Sequence, residues 1–392
     1  MNNSAKGKAQ RLLKFGLALA IGTMGGATFN YFGLPLAWML GSMCACTFAS
    51  LLKVPVAPLP KVQPVITAVL GVLLGAGFTP DLILSMLDWL PSLVGLMIFT
   101  IVSAMIGPFY FRFVGRLDKP TAMLSAMPGG LVEMTTLGQE NGADVTVIAL
   151  VQASRILLVV VSVPYLIWLV TGIPVPYGIA ASKASVFDVS TMTYLSLVFQ
   201  MLTGMALGKV LRLPARSLLG PMLISGILHA SGMSKLQPPG DLIVVAQLVL
   251  GTLVGSRFAG ISPTLVLRIL LLSAGYVFLF LLAAVFFAKV LAKLYNYDVG
   301  PLLLSYAPGG VTEMSLIALS MQTDAAFVSG HHIIRMMIVV AFAGLILKYG
   351  NMNSRAAAAS KSAQDDQCFD HADKGRETTS PSDSRTQRKN SP

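Results

Sequence analysis

The chain alternates between long apolar runs and short polar joints. The first set of runs covers about 12–32, 34–52, 62–78, 91–114, 120–140 and 145–170. The second covers about 190–208, 214–233, 240–258, 263–288, 299–320 and 325–349. The longer ones can cross a bilayer core of roughly 30 Å as helices. This patterning predicts an all-α, polytopic membrane protein. Two runs are interrupted in the same way. "SAMPGGLVEMT", Ser125 to Thr135, and "SYAPGGVTEMS", Ser305 to Ser315, each put Pro-Gly-Gly and a glutamate inside apolar sequence.

The interruptions belong to a longer internal match. Pro128-Gly129-Gly130 recurs as Pro308-Gly309-Gly310, Asp118 as Asp298, Glu133 as Glu313, Asp144 as Asp324 and Arg155 as Arg335, always 180 residues on. "LGVLLGAGF" from Leu70 returns as "LGTLVGSRF" from Leu250, and "LPLAWMLG" from Leu34 as "LPARSLLG" from Leu213. Such self-similarity predicts two homologous membrane repeats, 1–180 and 181–350. Six of the 11 acidic residues before the tail fall in matched pairs, which scattered surface acids would not do.

Topology depends on the Pro-Gly-Gly segments. If they cross, each repeat has six crossings and the repeats are parallel. If they dip in and return, each has five and the repeats are inverted. The crossing arrangement puts Lys209, Arg212, Arg216 and Arg257 on the wrong side for the positive-inside rule. The re-entrant one does so for Lys183, Lys235, Lys289 and Lys293. The inverted, re-entrant arrangement is favoured, because transporters commonly join inverted repeats through broken segments at the midplane. Both arrangements put both termini in the cytoplasm, as does the basic flank of Lys6, Lys8, Arg11 and Lys14.

Composition agrees with a membrane body. The chain is 55% hydrophobic and 11% charged, with mean hydropathy +0.73, against about 25% charged in soluble domains. Residues 351–392 differ, and their mixed charge with few large apolar side chains predicts a disordered polar tail. The tail holds 7 of the 28 basic and 6 of the 17 acidic residues, so the basic excess, 21 against 11, belongs to the membrane part. It fits cytoplasmic loops better than a nucleic-acid patch. Cys44, Cys46 and Cys368 form no disulfide or zinc pattern.

Proline ends a helix by removing a donor and clashing with the preceding turn. The glycines then allow a sharp turn and close approach to the backbone. Within lipid, such a break is tolerated where it is buried in protein or lines a wet cavity. Glu133 and Glu313 fall in the first turn of a following helix, where a carboxylate meets the positive end of the dipole. They also suit uptake of a proton or cation. Arg155 and Arg335 each follow an aspartate by 11 residues, about 16 Å along a helix, which places them deep in the membrane. They are either partners of Glu133 and Glu313 in ion pairs or forks for an anionic substrate group. His331, seven residues after Asp324 and four before Arg335, shares their helix face, and Asp144, Asp324 and His331 are candidates for a proton relay. Gln152 stands opposite His332. The G-x-x-x-G pairs Gly71/Gly75 and Gly251/Gly255 predict close helix packing.

On these duplicated "AMPGGLVEM" and "YAPGGVTEM" segments, the "LPxxxxLG" starts and the aspartate and arginine pairs, residues 10–350 resemble the AbrB-type bacterial inner-membrane proteins, often labelled ammonia monooxygenases. The resemblance implies a cell inner-membrane location and an association with regulation of gene expression. The residues argue against an oxygenase. Such a site needs several His or carboxylate ligands converging on a metal, and His229, His331 and His332 recur in neither repeat. No cofactor or metal is therefore expected, and no direct nucleic-acid contact. The expected function is a secondary transporter of a small, anionic solute. Its site residues are Gly129, Gly130, Glu133, Arg155, Gly309, Gly310, Glu313 and Arg335, and the lipid bilayer and the solute are its partners. The alternative is a membrane sensor or regulator without transport. A homo-oligomer stays open.

Overall fold

A computed structural model describes residues 2–80, 86–127, 129, 131–173, 190–213, 215–234, 239 and 241–339. Gly130, the junction near residue 180, the end of the last apolar run and the tail from 351 lie outside the described residues. Among those described, all regular structure is helical. The first seven helices are α1 (Asn2–Tyr31), α2 (Ala37–Leu51), α3 (Gln63–Gly75), α4 (Leu90–Phe113), α5 (Lys119–Ala126), α6 (Leu131–Glu140) and α7 (Val145–Thr171). Then come α8 (Thr191–Val210), α9 (Arg216–Ala230), α10 (Asp241–Gly255), α11 (Pro263–Tyr295), α12 (Val299–Tyr306), α13 (Val311–Ser320) and α14 (Ala325–Val339). All lie in one compact unit, Met1–Ala341.

Among the described residues, five stretches are long and apolar enough to cross a membrane: Ala9–Tyr31, Met86–Phe113, Val145–Thr171, Asp241–Phe258 and Pro263–Tyr295. The protein is a polytopic membrane protein. The runs at 34–52, 62–78 and 214–233 give shorter helices than the apolar pattern suggests, of 15, 13 and 15 residues. That is about 20–23 Å of rise. The cause at α2 and α9 is local. Leu36 and Ala215, the residues after Pro35 and Pro214, hold left-handed φ values of 51° and 44°, which ends the helix on its upstream side.

The glycine pairs have specific partners. A Cβ on Gly75 would lie 2.5 Å from the Met222 carbonyl oxygen, and one on Gly255 would lie 2.5 Å from that of Met43. Gly71 and Gly251 meet the carbonyls of Leu218 and Met39 in the same way. So α3 packs backbone to backbone on α9, and α10 on α2. Ser225 Oγ donates to the Val72 carbonyl at 2.8 Å across the first seam, and Ser50 Oγ to that of Gly255 at 3.1 Å across the second.

Two helical hairpins lie beside the innermost long helix. The central window of α7 is 67% buried, against 22% for α1. Asp118 caps α5 by accepting from Thr121 N at 3.1 Å, and the Thr121 hydroxyl accepts from Asp144 N at 2.9 Å. The start of α7 therefore sits beside the start of α5, and the chain goes in along α5 and back along α6. Side-chain bonds from Gln152 to Leu124 and from Arg155 to Met127 keep a constant spacing of 28 residues, so α5 and α7 run parallel. His332 to Leu304 and Arg335 to Ala307 repeat that spacing for α12 and α14. At the entry of this second hairpin, Tyr297 meets the Phe327 ring at 6.2 Å. An aromatic cluster of Phe99, Phe280, Phe287 and Tyr306 packs α4, α11 and α12 together.

Candidate functional site

The site is built on the two chain breaks. α5 ends at Met127 and α12 at Ala307, both in extended backbone with ψ of 128° and 137°. The carbonyls of a helix's last turn have no partners within the helix and carry its negative dipole end. Here, side chains from the parallel neighbour take them. Gln152 Nε2 donates to Leu124 and Met127 at 3.2 and 3.1 Å, Arg155 Nη1 to Met127 at 3.1 Å, and Tyr276 Oη of α11 to Ala126 at 2.5 Å. In the second hairpin, His332 Nε2 donates to Leu304 at 2.8 Å. Arg335 donates through Nη1 to Ala307 at 2.7 Å and through Nη2 to Gly309 at 2.9 Å.

The ion pair considered for the arginines is not what the structure holds. Among the described residues, no carboxylate lies within ion-pairing distance of Arg155 or Arg335. Both are buried, at 1% and 2% exposure. Their charges are answered by carbonyl dipoles, which cap a broken helix and leave a net positive charge in place. Each also keeps a buried Nε–H without a partner among the described residues, a cost that an acceptor entering the site would remove.

The breaks use their glycines for closeness. Gly129, Gly309 and Gly310 are not among the glycines with positive φ. A Cβ on Gly129 would lie 2.5 Å from Met134 Cε, and one on Gly309 would lie 2.7 Å from Met314 Cε. The turn itself is made at Pro308, where Gly309 N donates to the Ala307 carbonyl at 2.8 Å, a three-residue turn. Gly310 is the N-cap of α13, and no side chain caps it.

Glu133 and Glu313 both lie in the first turn of the returning helix. They differ in setting. Glu133 is half-buried, whereas Glu313 is buried, accepts from Thr312 Oγ1 at 2.8 Å and folds back over the Gly310 backbone. Arg155 and Arg335 lie within electrostatic reach of each other, and Tyr276 within reach of both. Glu313 lies within reach of Arg155 and of Arg257. The two hairpin tips thus share one charged neighbourhood.

Asp144 and Asp324 are placed elsewhere. Asp144 Oδ1 accepts from Val147 N at 3.0 Å and Asp324 Oδ1 from Phe327 N at 2.9 Å, which makes them N-caps of α7 and α14. They sit three helical turns from the arginines. His331 is buried between Phe327 and α4. Its Nδ1 is 2.8 Å from the Phe327 carbonyl and its Nε2 2.8 Å from Ser92 Oγ.

Sequence reasoning passed over three residues of this neighbourhood. Tyr276 and Arg257 each occur in one half only, and His332 stands where the first half has Gln152. A lone arginine closing the apolar run Leu250–Phe258 was the one available sign of Arg257. Among the described residues, no three His, Cys, Asp or Glu side chains are placed to hold a metal ion.

Comparison with known proteins agrees with the residues. The family model for AbrB, described as "Transition state regulatory protein AbrB", matches residues 38–350. The chain is similar to "Uncharacterized protein YhjN" of Bacillus subtilis (strain 168), 26% identical over 362 residues, covering 85% of this chain and 92% of that one. It is also similar to "Putative regulator AbrB" of Escherichia coli (strain K12), 24% identical over 342 residues, covering 84% and 94%. These relatives are named as a regulator or as uncharacterized, not as enzymes.

Proposed function

The chain belongs to the AbrB family, and from its site we propose that it is a secondary transporter of a small anionic solute in the bacterial inner membrane. One observation carries this reading: two buried guanidiniums at the tips of two broken hairpins, with donors unpaired and no carboxylate paired to them among the described residues. A purely structural arginine would have its donors satisfied. The solute's anionic group sits against Arg155 and Arg335, with the amides that open α6 and α13 adding attraction. Glu313, within reach of Arg155 and Arg257, limits the positive charge when the site is empty.

The two halves, 1–180 and 181–350, are read as inverted repeats, and the hairpins as re-entrant. The adjacency of Thr121 and Asp144 supports this, because it returns the chain to the side it left. So does the cavity that Lys14 and Lys53 share with Gly260, Ser262 and Pro263. It groups the loops after α2 and α10 with the basic start of α1, as an inverted arrangement requires and a parallel one does not. Both termini are then cytoplasmic.

The regulator name of the E. coli relative favours the second reading, a sensor that binds the same solute without moving it. Uptake into proteoliposomes separates the two. Efflux or counterflow of radiolabelled anions, lost in Arg335→Ala, is the expected result. Binding without flux in sealed vesicles would establish the sensor. The donor set argues against an oxygenase, since the site is rich in guanidinium and poor in metal ligands.

A further inference from the structure

We propose that Arg257 is a third guanidinium of this site, and that the solute is a small dianion with acceptor-only oxygens, a dicarboxylate or a divalent oxyanion. The inference rests on the transport-site reading and makes it more specific. Arg257 lies in the 3₁₀ turn Ser256–Phe258 that ends α10. That helix is held against the second hairpin, because Gln247 Nε2 donates to Ser320 Oγ of α13 at 2.8 Å. Arg257 Nη1 is buried without a partner, as are the Nε atoms of Arg155 and Arg335. Glu313 lies within electrostatic reach of Arg257 and of Arg155. The first half has Gly77 at this position, so the duplication did not supply the charge and it marks one side of the site.

Charge decides between a monoanion and a dianion. Three guanidiniums and one buried carboxylate leave two positive charges. The neighbouring histidines add none. His332 accepts from Arg335 at Nδ1, at 2.6 Å, while its Nε2–H donates to the Leu304 carbonyl, so the ring holds one proton. His331 needs only one as well, with Nδ1–H donating to Phe327 and Nε2 accepting the Ser92 hydroxyl hydrogen, for which the Trp89 carbonyl is the alternative acceptor. Unbalanced charge in the interior is costly. A monocarboxylate would leave one guanidinium unanswered, and a dianion answers both. The free groups are all donors, and guanidinium forks match carboxylate and oxyanion oxygens.

The test is calorimetric titration of the purified full-length protein in detergent with succinate, sulfate and propionate at matched ionic strength. Succinate or sulfate should bind at least roughly tenfold more tightly than propionate, about 1.4 kcal/mol. A response to succinate alone would identify a dicarboxylate site, and one to sulfate alone an oxyanion site. Arg257→Gln should weaken the dianion by roughly tenfold or more and leave propionate unchanged, and Arg257→Lys should recover part of the preference. A melting temperature near wild type shows that Arg257→Gln is folded. If it is not, the Lys variant and the wild-type preference carry the test. Equal binding of propionate and the dianions, or an Arg257→Gln effect equal on both classes, would overturn the third guanidinium but leave the two-arginine site standing if Arg335→Ala still abolishes binding. No binding of any anion to wild type, with Arg335→Ala indistinguishable from it, would overturn the site itself.

Discussion

The two hairpins share a backbone plan but not their side-chain equipment. In the first, Arg155 holds one described carbonyl, beside Gln152, Val151 and a half-buried Glu133. In the second, Arg335 holds two carbonyls and the His332 ring, His331 lies one turn away on the same helix, and the returning helix opens with a buried Glu313. The two hairpins share the elements that define geometry: the proline break, the close glycine, the helix-capping aspartate and the arginine. They differ in what surrounds the arginine. Among the described residues the second guanidinium is held at three points and the first at one, so the second hairpin is read as the anchored half of the site and the first as the adaptable half.

The largest break in this comparison should come from Arg335→Ala. It strips Gly309 and His332 of their donor and leaves Ala307 only the Gly309 amide, and should cost about 2–5 kcal/mol of stability. Arg155→Ala should cost about 1–2 kcal/mol less, because fewer buried groups are orphaned. Melting temperatures in one detergent would show the gap, and equal losses would remove the distinction between the hairpins. Conservative changes sharpen it further. Arg335→Lys should lose most anion binding, since an ammonium cannot bridge two carbonyls and a ring nitrogen as the planar fork does, while Arg155→Lys should retain more. Comparable binding by both lysine variants would argue that charge alone matters.

A smaller effect is expected from His332→Gln, which gives the second hairpin the first one's equipment. Gln152 already donates to Leu124 as His332 does to Leu304, so stability should change by less than about 1 kcal/mol. Anion affinity should fall modestly, because Arg335 loses a rigid acceptor. The smallest difference should be at the caps. Asp144→Ala and Asp324→Ala should each cost about 1 kcal/mol, and to a similar extent, since their bonds of 3.0 and 2.9 Å are alike. A much larger loss of anion binding for either would return that aspartate to the list of relay candidates.

The helical order and the positions of the breaks were legible because proline, glycine and charge act locally. Pro-Gly-Gly ends a helix wherever it stands, and a buried arginine is conspicuous in apolar sequence. The partners of those arginines were not legible. A glutamate looked like the natural partner because charge can be read from a string of letters, whereas a helix's last carbonyls cannot. Only the parallel run of α5 beside α7 brings Met127 to Arg155. The short α2 and α9 were missed because a hydropathy pattern is blind to one left-handed residue. Arg257 and Tyr276 carry no repeat signal, because each occurs in one half only and the matched positions, Gly77 and Leu96, are uncharged.

The glycine seams have a consequence for biogenesis. Each seam joins helices from opposite ends of the chain: the Ser50 hydroxyl meets the Gly255 carbonyl 205 residues away. At a synthesis rate of about 5–20 residues per second, α2 waits roughly 10–40 s in the membrane before α10 is made. During that time its small-residue face has only lipid or the insertion machinery beside it. Neither half can finish its own packing. The chain must therefore assemble late and all at once, and a stop or cleavage near residue 180 should leave two fragments that mature only when both are present in the same membrane.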